Sequence, residues 1–544
     1  MIGRKRIIIL VALLLLIVAV TGVLSLTAGR KKPAVSDIQM FSFNDQLQPV
    51  KKDDKYKTTY EIFVYSFCDS NGDGIGDING IRSKLDYIQD LGFDQIWLTP
   101  VHPSPTYHKY DVCDYYDIDP VFGTLEDYEL LLEECHERGI SVLMDLVLNH
   151  TSVEHEWFKK ASDYLHELPS DWEPDTSYCA YFDYYNFTKE QQNGFAPLEG
   201  TDWYYEAQFW SGMPDLNLNS SMVRNEIKKI VSFWFDKGVD GFRLDAVTSY
   251  HTGDPEGNVE FTSYFCGLCR SIKPDCYIVG EAWTDRSKIA ALYSSGIDSL
   301  FNFPFSGNDG IIRNTIGESI SPADFVHAMI VSDETFRANN SNYIDAPFYT
   351  NHDIARSAGY YAIDEGPQTK MAYALSLLMS GNSFMYYGEE IGMKGSGKDE
   401  NKRAPMYWSD DPADPDICDG PPDMDDVMMK FPSLSEQMED DLSLYNWFRQ
   451  VIKVRNAFPV IARGRVVECP ELCTDHLAVF YKECESEQKV LLIINLGPDE
   501  EVCDLSSLSK DIKLSAVLNT SKEFIEFSDN TVKMPSYSIA VITE

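Results

Sequence analysis

VDGFRLDAV, residues 239–247, is a short apolar run that gives way to charge at Arg243 and Asp245. Two later stretches repeat this pattern and contribute one carboxylate each: CYIVGEAW, residues 276–283, with Glu281, and APFYTNHD, residues 346–353, with Asp353. Apolar runs of this length are typical of buried strands. Because the carboxyl ends of parallel strands meet at one edge of a sheet, acids at the ends of successive strands predict a catalytic rim.

Eight such runs alternate with longer amphipathic stretches between Thr59 and Glu390. Their order is TYEIFVYSF, FDQIWLTP, ISVLMDLVLNH, VDGFRLDAV, CYIVGEAW, SLFNFPF, APFYTNHD and NSFMYYGEE. Intervening stretches such as VRNEIKKIVSFWFDKG have helical periodicity and end at a glycine that suits a helix C-cap. Eight strand and helix units predict an α/β fold, a (β/α)8 TIM barrel with insertions.

The barrel is predicted over residues 58–150 and 210–460. Residues 151–209 form an insertion after the third strand that is rich in Trp, Tyr and Phe. Aromatic faces can stack on sugars, but we expect most of these rings to form the insertion's own core and only a few to contact ligand. Residues 461–544 carry strand patterns such as KVLLIINLG and predict a separate C-terminal β-sandwich of antiparallel strands.

The N-terminus predicts a signal or membrane anchor over residues 1–32. MIGRKR precedes an uncharged stretch about as long as a bilayer-spanning helix. A cleaved signal peptide usually has a shorter apolar core, so we favour an uncleaved anchor and an extracytoplasmic catalytic domain, with secretion as the alternative if cleavage occurs. Residues 33–57 are polar, lack clear periodicity and suit a linker.

The chain has a formal charge of −40, and its first 32 residues hold six basic side chains and no acid, which leaves −46 for the remainder. A surface this acidic repels nucleic acid and anionic lipid, whereas neutral ligands and divalent cations remain compatible with it. Nothing in the sequence predicts a protein partner. The twelve cysteines include Cys266 and Cys269 with Cys276 nearby, for which helix packing or a local disulfide is expected, because no second pair has zinc-ligand spacing.

Four short segments resemble the α-amylase superfamily of retaining glycoside hydrolases, in the family's order: DLVLNH from Asp145, GFRLDAV from Gly241, GEAW from Gly280 and TNHD from Thr350. Further matches are GDINGI, MPDLN and MYYGEEIGM, and MPDLN lies between the signatures of the oligo-1,6-glucosidase and neopullulanase groups. Because each segment falls on a predicted strand or loop in the right order, the resemblance covers the chain from about Tyr56 to its end.

Two carboxylates suit the two tasks of glycosidic cleavage with retention, in which one attacks the anomeric carbon and the other protonates the leaving oxygen. Arg243 lies two residues before Asp245, on the same face of its strand, where a guanidinium would keep the carboxylate ionised. Glu281 sits among apolar neighbours that would keep it protonated. The resemblance gives the same roles: Asp245 is the nucleophile and Glu281 the acid/base.

The resemblance implies further substrate-binding residues. Asp353 matches the family's third carboxylate, which stabilises the transition state, and His150 and His352 would bind the same sugar ring. Tyr110 in YHKYD, with His108, resembles the stacking platform for that ring. An isolated histidine would more readily be a structural residue, but the motif context favours binding for His150 and His352, and less firmly for His108.

A calcium site is predicted in DSNGDGIGD, residues 69–77, because oxygen-bearing residues alternate with glycines that let the loop curl around a hard cation. The expected ligands are Asp69, Asn71, Asp73, the Ile75 carbonyl and Asp77, and the loop resembles the calcium loop of oligo-1,6-glucosidase-like members. A plain turn rich in Asp, Asn and Gly is the alternative. Asn149 matches a calcium ligand of many α-amylases.

The predicted substrate is a starch-type α-1,4-glucan or maltooligosaccharide. Thr248 and Ser249 replace the Lys-His pair that typical α-amylases place after the nucleophile, so an exo-acting α-glucosidase or oligo-1,6-glucosidase, or a transglycosylase, is an alternative. Tyr107 argues against the exo-acting α-glucosidase, because it stands where those enzymes commonly place an acid. A membrane-anchored, amylase-like transporter subunit is a second alternative, although such subunits often lack the catalytic carboxylates present here.

Overall fold

The computed structural model describes residues 44–51, 54–361, 363–508 and 511–544. The predicted anchor over residues 1–32 and most of the predicted linker lie outside this range. Among the described residues, no helix is both long and apolar enough to cross a lipid bilayer.

A parallel sheet forms the centre of the molecule. Its strands, within the described residues, are β1 (Thr58–Ile62), β2 (Gln95–Leu98), β3 (Ser141–Leu146), β7 (Gly241–Leu244), β8 (Tyr277–Gly280), β9 (Ser299–Leu300) and β10 (Ser383–Tyr386). They lie in the order β10-β1-β2-β3-β7-β8-β9. The missing position is filled by residues 346–348, which form single parallel bridges from Ala346 to Phe301 and from Phe348 to Phe384. These bridges close the ring, and the predicted TIM barrel is confirmed.

Helices of the described residues pack around the barrel, and the stretch VRNEIKKIVSFWFDKG forms one that ends at the predicted glycine. The helix Ser221–Lys237 is capped by the Ser220 side chain at its start and by Gly238, at φ 110°, at its end. The other helices are Ile78–Ser83, Leu85–Leu91, Leu125–Glu137, Glu156–Glu167, Pro255–Ile272, Arg286–Tyr293, Ile311–Ile316, Pro322–Arg337, Pro367–Leu377, Asp399–Lys402, Leu434–Gln437, Leu444–Ala457 and Val460–Arg463.

The insertion after β3 has a small aromatic core of its own. It holds the helix Glu156–Glu167 and the short strands β4 (Phe187–Thr188), β5 (Phe195–Pro197) and β6 (Tyr204–Glu206). Phe158 packs edge-on against Tyr185 and Tyr205, with ring centroids 5.1 and 4.9 Å away. Most of the insertion's rings are thus structural, as the sequence predicted.

The C-terminal part is antiparallel and packs in two sheets. One contains β11 (Arg465–Glu468), β12 (Leu477–Cys484), β13 (Glu487–Asn495), β18 (Ser538–Thr543) and β15 (Lys513–Asn519), in that spatial order. The other contains β14 (Glu501–Asp504), β17 (Thr531–Met534) and β16 (Glu526–Ser528). A buried apolar cluster lies between them and includes Leu491, Ile493, Val532 and Met534. This arrangement confirms the predicted C-terminal β fold.

The described part of the predicted linker contacts the folded body. The Asn44 side chain donates to the carbonyl of Val517 in β15 and accepts from its amide, at 2.5 and 3.2 Å. The Val50 amide donates to the Asn456 carbonyl at 2.9 Å. Residues near position 44 therefore join the C-terminal sheet to the barrel side of the molecule.

All twelve cysteines lie in described residues, and each is a free thiol there. Cys266, Cys269 and Cys276 are buried together in the core. Their role in this structure is packing, the first of the two expectations from the sequence, and no local disulfide forms.

Gly241 begins β7 and lies against the backbone of β8, since a Cβ at this position would be 1.9 Å from the Tyr277 carbonyl oxygen. Gly241→Ala should therefore push β7 from β8 and lower the free energy of unfolding by about 1–3 kcal/mol. Differential scanning calorimetry measures the effect as a lower thermal midpoint. Gly267→Ala is the matched control, because Gly267 is an exposed helical glycine with nothing within 4 Å of its added Cβ. Equal midpoints for the two variants would contradict the close-approach argument.

Candidate active site

A cavity of about 410 Å³ opens at the carboxyl ends of the barrel strands. The predicted residues Asp245, Glu281, Asp353, His108, Tyr110 and His150 all line it. The end of the insertion, the loop that follows it and the loop after β7 add Phe209, Trp210, Met213, Ala246, Thr248 and Ser249 to the wall, which also includes Trp283, Asp399 and Arg403. The structure thus brings the acids of three separate strand ends to one cavity.

Arg243 lies beneath this cavity and is completely buried. One of its terminal nitrogens lies 2.8 Å from Asp245 Oδ1 and 3.0 Å from Asp145 Oδ1, and the other lies 3.0 Å from Glu281 Oε2. The contact to Glu281 is an ion pair without the alignment of a directed hydrogen bond. A single guanidinium therefore contacts three carboxylates, and its pKa is well above the usual value because their charges outweigh the effect of burial.

Glu281 has the environment of a proton donor. Burial raises its pKa to about 7, against the opposing charge of Arg243 and with help from the Asp245 and Asp353 carboxylates. The Ala246 amide donates to Glu281 Oε2 at 3.1 Å and fixes the carboxyl group beside the cavity.

Two non-glycine residues beside the cavity adopt left-handed backbone conformations. Ala246, directly after Asp245, has φ 44°, and Lys109, between His108 and Tyr110, has φ 64°. Such conformations store about 1–3 kcal/mol of strain each and are retained where a site needs them. At Ala246 the unusual turn directs the amide that contacts Glu281, so the strain positions a site residue.

Asp353 lies in a second network of alternating charges. His352 Nε2 lies 3.1 Å from Asp353 Oδ2, and the Arg403 guanidinium donates to Asp353 Oδ1 at 2.7 Å. Burial alone would raise the pKa of Asp353, but these two cations hold it well below its usual range. Burial likewise opposes a charge on His352, yet Asp353 and Glu61 raise the pKa of His352 to about 10. The carboxylate of Asp353 is therefore fixed in its ionised form.

The predicted sugar-binding residues have different positions relative to the cavity. His150 lines it, and its Nε2 is buried without a hydrogen-bond partner among the described residues. Tyr110 stacks on His352 with ring centroids 5.5 Å apart. His352 and Arg243 lie behind the wall, and His352 contacts Glu61 at 2.7 Å through Nδ1. The structure thus places these two residues where they orient the cavity's acids.

Sequence reasoning did not single out Asp145, Glu61 and Arg403 as site residues. Asp145 is fully buried, where it accepts hydrogen bonds from Trp97 Nε1 at 3.2 Å and from the Tyr110 hydroxyl at 3.0 Å. Asp145 and Glu61 each stand inside an otherwise apolar predicted strand. This position was the available signal, because a buried charge needs a partner of opposite charge or a hydrogen-bond donor. Arg403 had no local signal, since its contacts with Asp353 depend on the tertiary fold.

The loop over residues 69–77 is held by its own side chains. Asp69 accepts hydrogen bonds from the amides of Asn71, Gly72 and Gly74 at 2.7–2.9 Å, and Asp77 accepts from Ser70 and Gly80. The amide of Ile75 donates to Asp73 at 2.9 Å. Within the described part of the chain, no three or more His, Cys, Asp or Glu side chains are grouped closely enough to hold a metal ion. These bonds are those of a turn, and calcium at this loop stays a prediction.

Asn149 lies away from this loop, at the end of β3. Its side-chain amide donates to Asp215 Oδ1 at 3.1 Å, and its backbone carbonyl accepts from the Leu216 amide at 2.8 Å. The contact joins DLVLNH to MPDLN, so the two motifs support each other at the base of the insertion.

Comparison with known proteins agrees with this geometry. The family described as the α-amylase catalytic domain matches residues 61–464. α-Amylase 3 of Dictyoglomus thermophilum is 35% identical over 89% of this chain and 92% of its own length, and the oligo-1,6-glucosidase of Heyndrickxia coagulans is 30% identical over 81% and 92%. The solved structure of Eubacterium rectale Amy13B is 47% identical, covers 93% of this chain and 98% of its own, and superposes with a TM-score of 0.91.

These similarities extend over the barrel, the insertion and the C-terminal sheets. The relatives carry the names of enzymes, and this favours an enzyme over the alternative of an amylase-like transporter subunit without activity. The chain belongs to the α-amylase catalytic-domain family of glycoside hydrolases and is an enzyme of that family.

Proposed function

We propose that this enzyme hydrolyses α-1,4-glucosidic bonds in starch-type glucans or maltooligosaccharides and retains the anomeric configuration. The observation that carries the proposal is the single Arg243 guanidinium that contacts both Asp245 and Glu281 at the cavity wall. Two carboxyl groups held by one guanidinium are close neighbours, as retention requires, because inverting enzymes keep them far enough apart to admit a water.

In the proposed mechanism, Asp245 attacks the anomeric carbon while Glu281 gives its proton to the departing oxygen. The glycosyl–Asp245 ester is then hydrolysed by a water that Glu281, now a carboxylate, deprotonates. Arg243 lies 2.8 Å from Asp245 Oδ1, where its charge favours the attacking carboxylate, and burial raises the pKa of Glu281 to about 7. The first step requires Glu281 to carry the proton that it donates.

The ring under attack would lie between Tyr110 and Asp353. Asp353 is held ionised by His352 and Arg403, so it can accept hydrogen bonds from sugar hydroxyls and stabilise positive charge at the transition state. His150 offers an unpartnered Nε2 to the same ring. These contacts favour binding that strengthens as the ring becomes oxocarbenium-like.

The preference for α-1,4 chains is supported by the name of a relative, the α-amylase 3 of Dictyoglomus thermophilum. Thr248 and Ser249, which stand in place of the Lys-His pair of typical α-amylases, line the cavity together with the half-exposed ring of Trp210. An exo-acting alternative is supported by the names of relatives such as the oligo-1,6-glucosidase of Heyndrickxia coagulans. One residue argues against the exo-acting alternative. Tyr107 has no carboxylate to bind a terminal sugar, and its hydroxyl accepts a hydrogen bond from Arg403 at 2.7 Å.

A product profile on soluble starch, maltotriose, isomaltose and pullulan tests the proposed activity. We expect maltooligosaccharides from starch, with the α anomer formed first in NMR spectra. Asp245→Asn should lower kcat by at least about a thousandfold, because the nucleophile is lost while its shape is kept. A variant that keeps most of its activity would show that Asp245 is not the nucleophile, and glucose as the only early product would favour the exo-acting alternative.

Activity should fall as the pH rises above about 7. Glu281 must carry a proton to act as the acid, and burial raises its pKa to about 7, so the active protonated form is lost through this pH range. The measurement is kcat/KM for maltotriose between pH 5 and pH 9. Glu281→Gln should remove this limb together with most of the activity, and an unchanged rate at pH 9 would contradict the role of Glu281.

We also propose that the loop over residues 69–77 binds calcium. Its donors are all hard oxygens, and a carboxylate oxygen that accepts one amide hydrogen bond keeps a lone pair for a cation. The Asp419 carboxylate lies beside Gly74, since a Cβ there would be 2.4 Å from Asp419 Oδ2, and it adds negative charge to the loop. Asp69, Asn71, Asp73, Asp77 and the Ile75 carbonyl would hold the ion.

Chelation should lower the thermal midpoint if this loop binds calcium, because a ligand of the native state stabilises it by mass action. Calorimetry with and without EGTA, followed by added calcium, measures the shift. Asp73→Asn should reduce that shift, and Asp285→Asn, at a helix N-terminus away from the loop, is the control. Identical melting curves with and without EGTA would favour the plain turn.

The predicted anchor over residues 1–32 would tether the enzyme to the cell membrane and place its catalytic domain outside the cytoplasm. An acidic catalytic domain suits that placement, since it stays soluble and meets a neutral glucan without repulsion.

A further inference from the structure

Glu61 is a buried acid to which the proposed mechanism assigns no step. It lies in β1, is 1% exposed and stands between the buried side chains of Tyr60 and Ile62. Burying a carboxylate costs free energy unless charges or hydrogen bonds compensate. Nδ1 of His352 lies 2.7 Å from Glu61 Oε1, and the His352 amide donates to the same oxygen at 3.3 Å. The first strand of the barrel therefore contacts the TNHD motif, which follows 291 positions later.

The imidazole ring of His352 lies between two acids. On the side away from Glu61, Nε2 lies 3.1 Å from Asp353 Oδ2 and 2.7 Å from the Tyr110 hydroxyl. The ring is fully buried, stacks on Tyr110 and packs edge-on against Trp97 with centroids 5.7 Å apart. This packing leaves the ring little freedom to turn away from either carboxylate.

A neutral ring cannot donate to both acids. A neutral imidazole carries one N–H, so a proton on Nδ1 turns the lone pair of Nε2 toward Asp353, and a proton on Nε2 turns the lone pair of Nδ1 toward Glu61. In the imidazolium both nitrogens donate, and each carboxylate faces a proton. Burial lowers the pKa of His352, but Asp353 and Glu61 raise it to about 10, in agreement with this geometry.

Further charges act on the ring from other elements of the barrel. The charge of His352 lowers the pKa of Asp145 and of Glu281 against the effect of burial, so both acids lie within its field. The nearby cations are Arg403, which donates to the His352 carbonyl oxygen at 3.2 Å, and Arg243 beneath the cavity. These two acids and two cations balance in number, so the acids at the ring nitrogens decide its charge.

We propose that Glu61 is a positioning residue of the catalytic site, which holds His352 as an imidazolium and through it fixes Asp353. The effect on rate rests on the proposed function, in which Asp353 stabilises positive charge at the transition state. Because Nε2 then donates, the Tyr110 hydroxyl gives its own proton to Asp145 Oδ2, at 3.0 Å. One acid behind the cavity wall therefore orients both the third carboxylate and the ring on which the sugar would stack.

NMR of the enzyme labelled with ¹³C at the histidine Cε1 atoms measures the charge of His352 without turnover. The wild-type signal, identified by its loss in His352→Gln, should stay that of an imidazolium until about pH 10. Glu61→Gln keeps the size of the side chain but removes its charge, and should lower the titration midpoint by about 1–3 pH units. A neutral His352 at pH 7 in the wild type, or an unchanged midpoint in Glu61→Gln, would overturn the proposal.

Glu390→Gln is the matched control for the NMR experiment. Glu390 is fully buried and accepts a hydrogen bond at 2.6 Å from Tyr60, the neighbour of Glu61 in β1, and among the described residues no hydrogen bond joins it to His352. This variant should leave the His352 midpoint unchanged, even if its thermal midpoint falls. An equal decrease of the His352 midpoint in both variants would reveal a general structural effect and contradict the role of Glu61.

Kinetics on maltotriose separate positioning from folding. Glu61→Gln should lower kcat by about a hundredfold and change KM far less, because Asp353 acts on charge that develops in the transition state. Glu61→Asp restores the charge and should recover part of this kcat, and a wild-type kcat in Glu61→Gln would overturn the proposal. If Glu61→Gln does not fold, the wild-type His352 midpoint decides. If the wild type hydrolyses no maltooligosaccharide but Glu61→Gln still lowers that midpoint, the proposed activity fails and the role of Glu61 toward His352 stands.

Discussion

The active site depends on one buried cation. Arg243 is fully inaccessible to solvent, and the barrel provides three carboxylates within 3.0 Å of its terminal nitrogens. Removing charges from water costs several kcal/mol per ion, and only mutual attraction with good geometry offsets that cost. None of the four groups could be buried here alone. The strand ends of β3, β7 and β8 must therefore meet for any of them to be stable.

The same arrangement places carboxyl groups of the same chemical type in different electrostatic environments. Asp245 and Glu281 share one guanidinium, but burial raises the pKa of Glu281 to about 7, and the amide of the strained Ala246 fixes its position. Asp353 belongs to a different network, in which two cations outweigh burial and lower its pKa. The cleft thus contains one carboxyl group whose pKa is raised and one whose pKa is lowered, so the two differ in protonation over a wide range of pH.

The loops around these acids can differ without disturbing the buried ion pairs of Arg243 beneath the cavity. The insertion packs mainly on its own rings, so Phe209 at its end and Trp210 directly after it can line the cavity while its core stays intact. Trp283 also lines the cavity, and its ring stacks on Phe303. Specificity can therefore change through these loops while the contacts of Arg243 stay the same, as is common in TIM barrels.

Local sequence signals were sufficient for the barrel and for its catalytic rim. Apolar runs with alternating helical patterns predicted all eight positions of the ring, because strand burial and helix capping are encoded over a few residues. The seventh position shows the limit, since APFYTNHD forms only single bridges. Its apolar residues predict burial, but ladder hydrogen bonds depend on neighbours that are distant in sequence.

The sequence by itself determined which residues could perform acid, base and binding chemistry, because Asp245, Glu281 and Asp353 follow buried strands and Arg243 shares a strand face with Asp245. The tertiary structure alone decided which charged residues surround each of these carboxyl groups. Asp145 reaches Arg243 across 98 positions and Arg403 reaches Asp353 across 50. Protonation states depend on such contacts and on burial, and neither is visible in a local stretch of sequence.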